Sequence, residues 1–317
     1  MNEFLKKYPI PIVGGLMLGL AASGNLVQSY GEGYRNIFGG VSAILLVLML
    51  GKIIKYPKDI AKSLDNPVVA SVFPTLSMGG IMLLSTYCTP YLSSFAYAMW
   101  IIGIVLHIIL ILWFTKKFVL NFKIKQVFPS WFIVYVGIVV ASVTAPAYKM
   151  TNVGQVAFWF GFVTYLILLP IVIYRVIKVK EMPESALPTI AIFAAPASLL
   201  LAGYMKSFGT KNMTIVWFLM ILSILMYVSV IIMLFKLLKL KFYPSYSGFT
   251  FPLIISGISI KLTNGFLIKS KQAIPWLKYL VKFQEIIAVI ITIYVLIRYI
   301  QFLLPKENNS VSINKSN

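Results

Sequence analysis

LPTIAIFAAPASLLLAGYMKSFGTKNMTIVWFLMILSILMYVSVIIMLF, residues 187–235, holds two apolar segments of opposite character on either side of a short polar turn. The first is interrupted by Pro188 and Pro196 and contains Gly203; the second runs from Met213 to Phe235 without a glycine or a proline. Each is long enough for the roughly 20 apolar residues that cross a bilayer as a helix. A proline removes a backbone donor and crowds the preceding turn, so it kinks the helix. Backbone groups freed in this way are tolerated at membrane depth only where protein or a water-filled cavity satisfies them. The interrupted segment therefore belongs inside a bundle, whereas the uninterrupted one, apolar all round, can face lipid.

The same alternation extends over the chain. Apolar windows bounded by turns or charges give ten spans, at 8–27, 37–55, 69–86, 92–115, 130–148, 154–178, 186–206, 212–238, 247–266 and 280–303. The odd spans hold 18 Gly and Pro and the even spans 7. Kink prolines of the odd set are Pro9, Pro11, Pro74, Pro146, Pro188, Pro196 and Pro252; the even set has Pro170 alone. This predicts an all-α integral membrane protein of ten transmembrane helices in five hairpins, each with one kinked inner and one smooth outer helix. Five inner helices around an axis leave a central hole unless large side chains fill it, so a pore is expected. Close packing of glycine-bearing helices is the alternative. Residues 1–305 form one transport domain, and 306–317, ending ENNSVSINKSN, form a polar tail of disordered character.

Composition excludes most other classes. Of 317 residues, 60% are hydrophobic and 11% charged, against about 25% charged in ordinary soluble domains. The formal charge of +20 does not read as nucleic-acid binding, because the Lys and Arg residues lie in short clusters between apolar runs. One cysteine, Cys88, permits no internal disulfide, and one histidine, His107, leaves no His/Cys metal set. Lys6 and Lys7 precede an apolar run without a cleavage pattern, which reads as a retained first span. With both termini cytoplasmic, 19 of the 28 Lys and Arg fall on the inside, as retention of positive charge predicts. The plasma membrane is the expected location.

The eight acidic residues, Glu285 among them, fall in loops or near span ends, so neither a carboxylate proton relay nor an acidic cation filter is expected within the spans. Anions remain. Lys149, Lys206 and Lys261 sit near one face of three inner helices and are candidates for an electropositive vestibule. Lys261, which interrupts IISGISIKLTNG, is the foremost of them; lysine snorkelling is the alternative. Ser23, Ser77, Thr144 and Ser198 are candidate pore-lining hydroxyls, unless each bonds its own helix backbone. His107, in span four, reads as a neutral histidine bonded to a neighbouring helix, with proton coupling as the other possibility. An intramembrane enzyme is disfavoured, since this histidine has no Ser or Cys partner at helical spacing. No cofactor is expected.

Four segments, PIPIVGGLMLGLAASGN, FPSWFIVYVGIVVASVTAPAY, LPTIAIFAAPASLLLAGY and GFTFPLIISGISI, resemble the tellurite-resistance/C4-dicarboxylate transporter family. That family also includes plant slow-type anion channels, fungal malate permeases and sulfite efflux proteins. The resemblance runs from Pro9 to about Ile300 and implies quasi-five-fold symmetry, a pore within each protomer and a homotrimer. It also implies that Phe251, between Thr250 and Pro252, plugs the pore as its gate, and that Gly15 and Gly19 of GLMLGLAA face the pore. The function it implies is passage of small anions. A proton-coupled carrier for a C4-dicarboxylate such as malate, or for sulfite, is the alternative, and an intramembrane enzyme the least supported.

Overall fold

The helices that carry the prolines and glycines are the buried ones. A computed structural model describes residues 2–8 and 13–304. Pro9, Pro11 and the tail 306–317 lie outside the described residues. A short helix, Asn2–Lys7, precedes the segments labelled here α1 (Val13–Val27), α2 (Glu32–Lys55), α3 (Pro67–Cys88), α4 (Ser93–Val119), α5 (131–148), α6 (Thr151–Val179), α7 (Glu184–Ser207), α8 (Met213–Leu237), α9 (Pro244–Lys269) and α10 (Leu277–Leu303). The described residues contain no strand. The protein is an all-helical, multi-pass membrane protein, and among the described residues eight helices are long and apolar enough to cross a bilayer.

Two of the ten predicted spans depart from that standard. The described part of α1 has 15 residues. α5 is broken into Trp131–Tyr135 and Val139–Tyr148. Between these pieces the backbone bonds three residues back, Val139 N to Val136 O at 3.0 Å and Val140 N to Gly137 O at 3.0 Å, which tightens the helix and bends its path. The other buried helices are irregular too. α3 passes Pro74 into a π-helical stretch, Leu76–Leu83. α7 begins as a long 3-10 stretch, Glu184–Ala194, containing Pro188, and becomes α-helical at Ala195 with Pro196 in its first turn. α9 begins as a 3-10 turn, Pro244–Phe249. Pro146 lies in the 3-10 turn that closes α5.

Burial follows the same division. The most apolar stretches of α3, α7 and α9 are 83%, 89% and 61% buried, whereas those of α2, α4, α6, α8 and α10 are 22–33% buried. α1 packs on α3, α3 on α5, α5 on α7, α7 on α9, and α9 returns to α1. The even helices lie on the outside of this closed sequence, each against the odd helix that precedes it. Side-chain hydroxyls tie neighbours together, as expected where no water competes. Ser42 of α2 donates to Met17 O of α1 at 2.8 Å. Ser198 of α7 lies 2.8 Å from the Ser223 hydroxyl of α8 and 3.0 Å from that of Ser256 of α9. Ser207 of α7 donates to Ser142 O of α5 at 2.6 Å.

The α1–α9 contact is among the close approaches in the bundle. A Cβ on Gly19 would fall 2.5 Å from Thr250 Cβ, and one on Gly15 would fall 2.8 Å from the Ser247 hydroxyl. Only glycine lets these two backbones meet, and that meeting brings the first and ninth helices together across more than two hundred residues of chain.

Candidate functional site

The buried helices enclose two cavities. The narrower has a volume of about 40 Å³ and takes wall residues from all five of them: Gly15 of α1, Met78 of α3, Gly137 of α5, Pro196 of α7, and Phe251 and Pro252 of α9. The wider has a volume of about 570 Å³ and is lined from the opposite ends of the same helices. Two side chains line both, Phe251 and Leu199. Phe251 is 6% exposed and stands, between Thr250 and Pro252, in the first turn of the α-helical part of α9. The Thr250 hydroxyl reaches Ser247 O at 2.8 Å and Gly15 O at 3.0 Å, fastening this turn to α1.

Hydroxyls in the narrow wall are largely occupied. Thr75 donates to Val72 O at 2.7 Å, Thr189 to Ala186 O at 2.6 Å and Ser245 to Ser185 O at 2.5 Å. A hydroxyl has one proton, so these side chains turn oxygen lone pairs, not donors, toward the cavity. An anion placed here would meet few strong hydrogen bonds. Sites that hold an ion weakly also release it, which throughput requires.

The wide cavity is cationic. Arg35, Lys206 and Lys261 line it, and no carboxylate lines either cavity among the described residues. Arg35, in the first turn of α2, donates to Thr86 O at 3.0 Å, pairs with Glu32 at 3.5 Å and stacks over the Tyr87 ring at 4.3 Å. Lys261 forms an ion pair of 2.6 Å with Glu285 of α10. Lys206, at the end of α7, is exposed, and among the described residues no acceptor is bonded to it. Uncompensated cations at the mouth of a low-dielectric cleft concentrate anions there.

The residues singled out in the sequence divide into two sets. Phe251, Gly15, Pro252, Thr144, Lys206, Lys261 and Pro196 come together around the cavities, and Pro146 lines the wide one. Gly19, Ser23, Ser77, Ser198, Thr250, Pro74 and Lys149 line neither. Ser23 donates to Gly19 O at 2.8 Å, within its own helix. Lys149 is exposed in the left-handed residue that ends α5, with φ 56°. Thr144 donates to Val140 O at 2.7 Å and accepts from Trp100 Nε1 at 2.8 Å.

His107 has the neighbouring-helix partners expected of it, but one of them is a serine. Ser77 Oγ of α3 is 2.7 Å from His107 Nδ1, and His107 Nε2 is 3.1 Å from Val134 O of α5. Helical spacing within one segment hid this pairing, because it forms between helices. A carbonyl can only accept, so Nε2 carries the proton, and the single Ser77 hydroxyl proton has both Nδ1 and, at 2.7 Å, Pro74 O within reach. Both residues are fully buried and neither lines a cavity.

Two site residues escaped the sequence reading. Arg35 lies just ahead of the apolar window taken as span two, but the helix begins earlier, at Glu32, and brings Arg35 to the cavity. Glu285 was placed near a span end; α10 begins at Leu277, so this carboxylate sits in its third turn and is 5% exposed. A buried acid in a spanning helix is a signal in its own right, masked here by lysines around it.

An all-helical, multi-pass membrane protein with cationic and apolar cavities meeting at one aromatic ring is built for the passage of anions. Residues 13–300 match the voltage-dependent anion channel family, and the chain belongs to that family. It is an anion channel or transporter and not an enzyme. An uncharacterized transporter of Methanocaldococcus jannaschii is 26% identical over 252 residues, 70% of this chain and 71% of that protein.

Proposed function

We propose that this protein conducts small anions through a central path whose gate is the Phe251 ring. The observation that carries this reading is that Phe251 belongs to the walls of both cavities and so stands where they would join. Dehydrating an ion in an apolar constriction is costly, so a ring in that position closes the path while it remains seated. An aromatic ring presents a positive edge, and a ring turned edge-on offers an anion a better passage than its face does. Leu199, on the neighbouring α7, lines both cavities beside it.

In this reading α1, α3, α5, α7 and α9 are the inner helices of a ten-crossing, quasi-five-fold bundle, and the even helices face lipid. The short α1 and the broken α5 cross with the help of their neighbours, as irregular backbone does when protein surrounds it. Both termini lie in the cytoplasm, which sets the wide cationic cavity toward the outside. The protein assembles as a homotrimer in the plasma membrane, each protomer with its own path. Arg35, Lys206 and Lys261 line the vestibule. Weak anion binding and walls free of carboxylates support passive conduction over proton-coupled carriage of malate or sulfite.

The test is flux in liposomes of purified protein, comparing chloride, nitrate, sulfite and malate with and without a pH gradient, in wild type and Phe251→Ala. Flux in the variant that follows membrane potential and ignores pH is the expected result. Saturable malate or sulfite uptake that vanishes without the pH gradient would make the protein a carrier, and unchanged flux in a folded variant would remove Phe251 from the gate.

A further inference from the structure

An ammonium group has three protons to donate, and Lys261 has three partners. Its Nζ lies 2.6 Å from Glu285 Oε1, 2.7 Å from Ser29 Oγ and 3.0 Å from Leu26 O. The same charge stands 5.3 Å from the centroid of the Tyr30 ring. Glu285 is held as firmly: Tyr30 Oη donates to its Oε2 at 2.6 Å, and Lys282 stands 3.7 Å from that oxygen. Lys282 also bonds the Tyr30 hydroxyl. The Glu285 side chain is 6% exposed, while that of Lys282 is 60% exposed and outside the cavity wall.

From this geometry we infer that Glu285, on the helix outside the ring, withholds Lys261 from the anion, and so sets how strongly the vestibule selects for anions. This rests on the reading of the wide cavity as the anion's way in. A lysine with every donor taken and a carboxylate against it contributes neither a binding proton nor a net charge at short range. The lysine that meets the anion is Lys206, which lines the same cavity without a carboxylate beside it. Arg35 is intermediate, since Glu32 partly offsets it at 3.5 Å. Lys261 then has a positioning role, tying α9 and α10 to the 3-10 turn Gln28–Tyr30 at the rim. The vestibule is tuned by a counter-ion that the anion never touches.

Two measurements test this on the full-length protein. The first is lysine acetylation with a small water-soluble reagent, read by mass spectrometry, with Lys206 as the internal reference. In wild type Lys206 is modified and Lys261 protected; in E285Q and E285A, with the charged acceptor gone, Lys261 is modified roughly fivefold faster or more. Equal labelling of the two lysines in wild type, or unchanged protection of Lys261 in both variants, would overturn the inference.

The second is halide conductance with the gate opened by Phe251→Ala. At about 20 mM salt, where screening is weak, E285Q raises anion conductance about two- to threefold; at about 500 mM the difference disappears. K261M alone leaves the Glu285 charge uncompensated beside the cavity and lowers conductance, whereas E285Q/K261M, with both charges removed, returns to the level of the parent. Should E285Q/K261M, in which no charge is left unpaired, depress conductance as much as K206M does, Lys261 meets the anion and the inference fails. Absence of anion flux in every gate-opened protein, with the labelling pattern as expected, would sink the proposed pathway and leave the withheld charge of Lys261 intact.

Discussion

On one side of Phe251 the walls are Gly15, Met78, Gly137 and Pro196, drawn close around about 40 Å³; on the other, the same helices spread around about 570 Å³ and present Lys206 and Lys261, joined by Arg35 from the first turn of α2. The narrow side is made by backbone proximity. Kinked and glycine-bearing stretches approach until little space remains, and the hydroxyls there spend their protons on backbone carbonyls. The wide side is made by charge, and two of its three cations are held against an acidic residue from an even-numbered helix. In the proposed path, steric closure and electrostatic attraction are thus separated, so that each can be altered while the other is kept.

The comparison is broken most severely at the ring itself. Phe251→Ala is expected to join the cavities and raise anion flux at least about tenfold, equivalent to removing about 1.4 kcal/mol of barrier, measured as halide efflux from liposomes. Gly19→Val tests whether backbone contact holds the narrow side. A side chain placed against Thr250 should destabilise the protein by about 1–3 kcal/mol, seen as a lower melting temperature in detergent. Lys206→Glu tests the charged side. Anion flux at about 20 mM salt should fall severalfold, the reversal potential should move toward that of a less selective pore, and both effects should fade near 500 mM. Lys149→Ala, at an exposed residue beyond both cavities, should leave flux and selectivity at wild-type values under the same conditions. A drop there would mean that the cationic region extends past the cavity wall.

Much of the architecture was legible because it depends on local chemistry. Pro74, Pro188, Pro196 and Pro252 mark helices that are irregular near them, and the same helices are the buried ones. The site was legible less evenly. Thr250 was picked out beside Phe251, yet its hydroxyl fastens α9 to Gly15 and lines no cavity. Ser77, Ser198 and Ser23 were picked out as small hydroxyls on kinked helices, but position on a helix does not fix which side faces the axis. In the fold they serve contacts to His107, to Ser223 and Ser256, and to Gly19 O.

Lys261 shows the limit most clearly. Its place in an apolar stretch marked it as unusual, and it does line the wide cavity. Its three partners come from residues 26, 29 and 285, so nothing within its own segment discloses that its charge is taken. Glu285 was unremarkable in the sequence for the same reason, standing among lysines at the start of a long apolar run.

The sequence by itself determined that the chain spans a membrane, that its helices are of two kinds and that kinked helices belong inside, because hydropathy, proline and glycine act over a few residues. Only the tertiary structure decided which side chains meet at the axis, where the cavities divide, and which cations remain available to an anion. Those depend on helix rotation and on pairings between residues more than two hundred positions apart, and an ion pair is defined by distance in space.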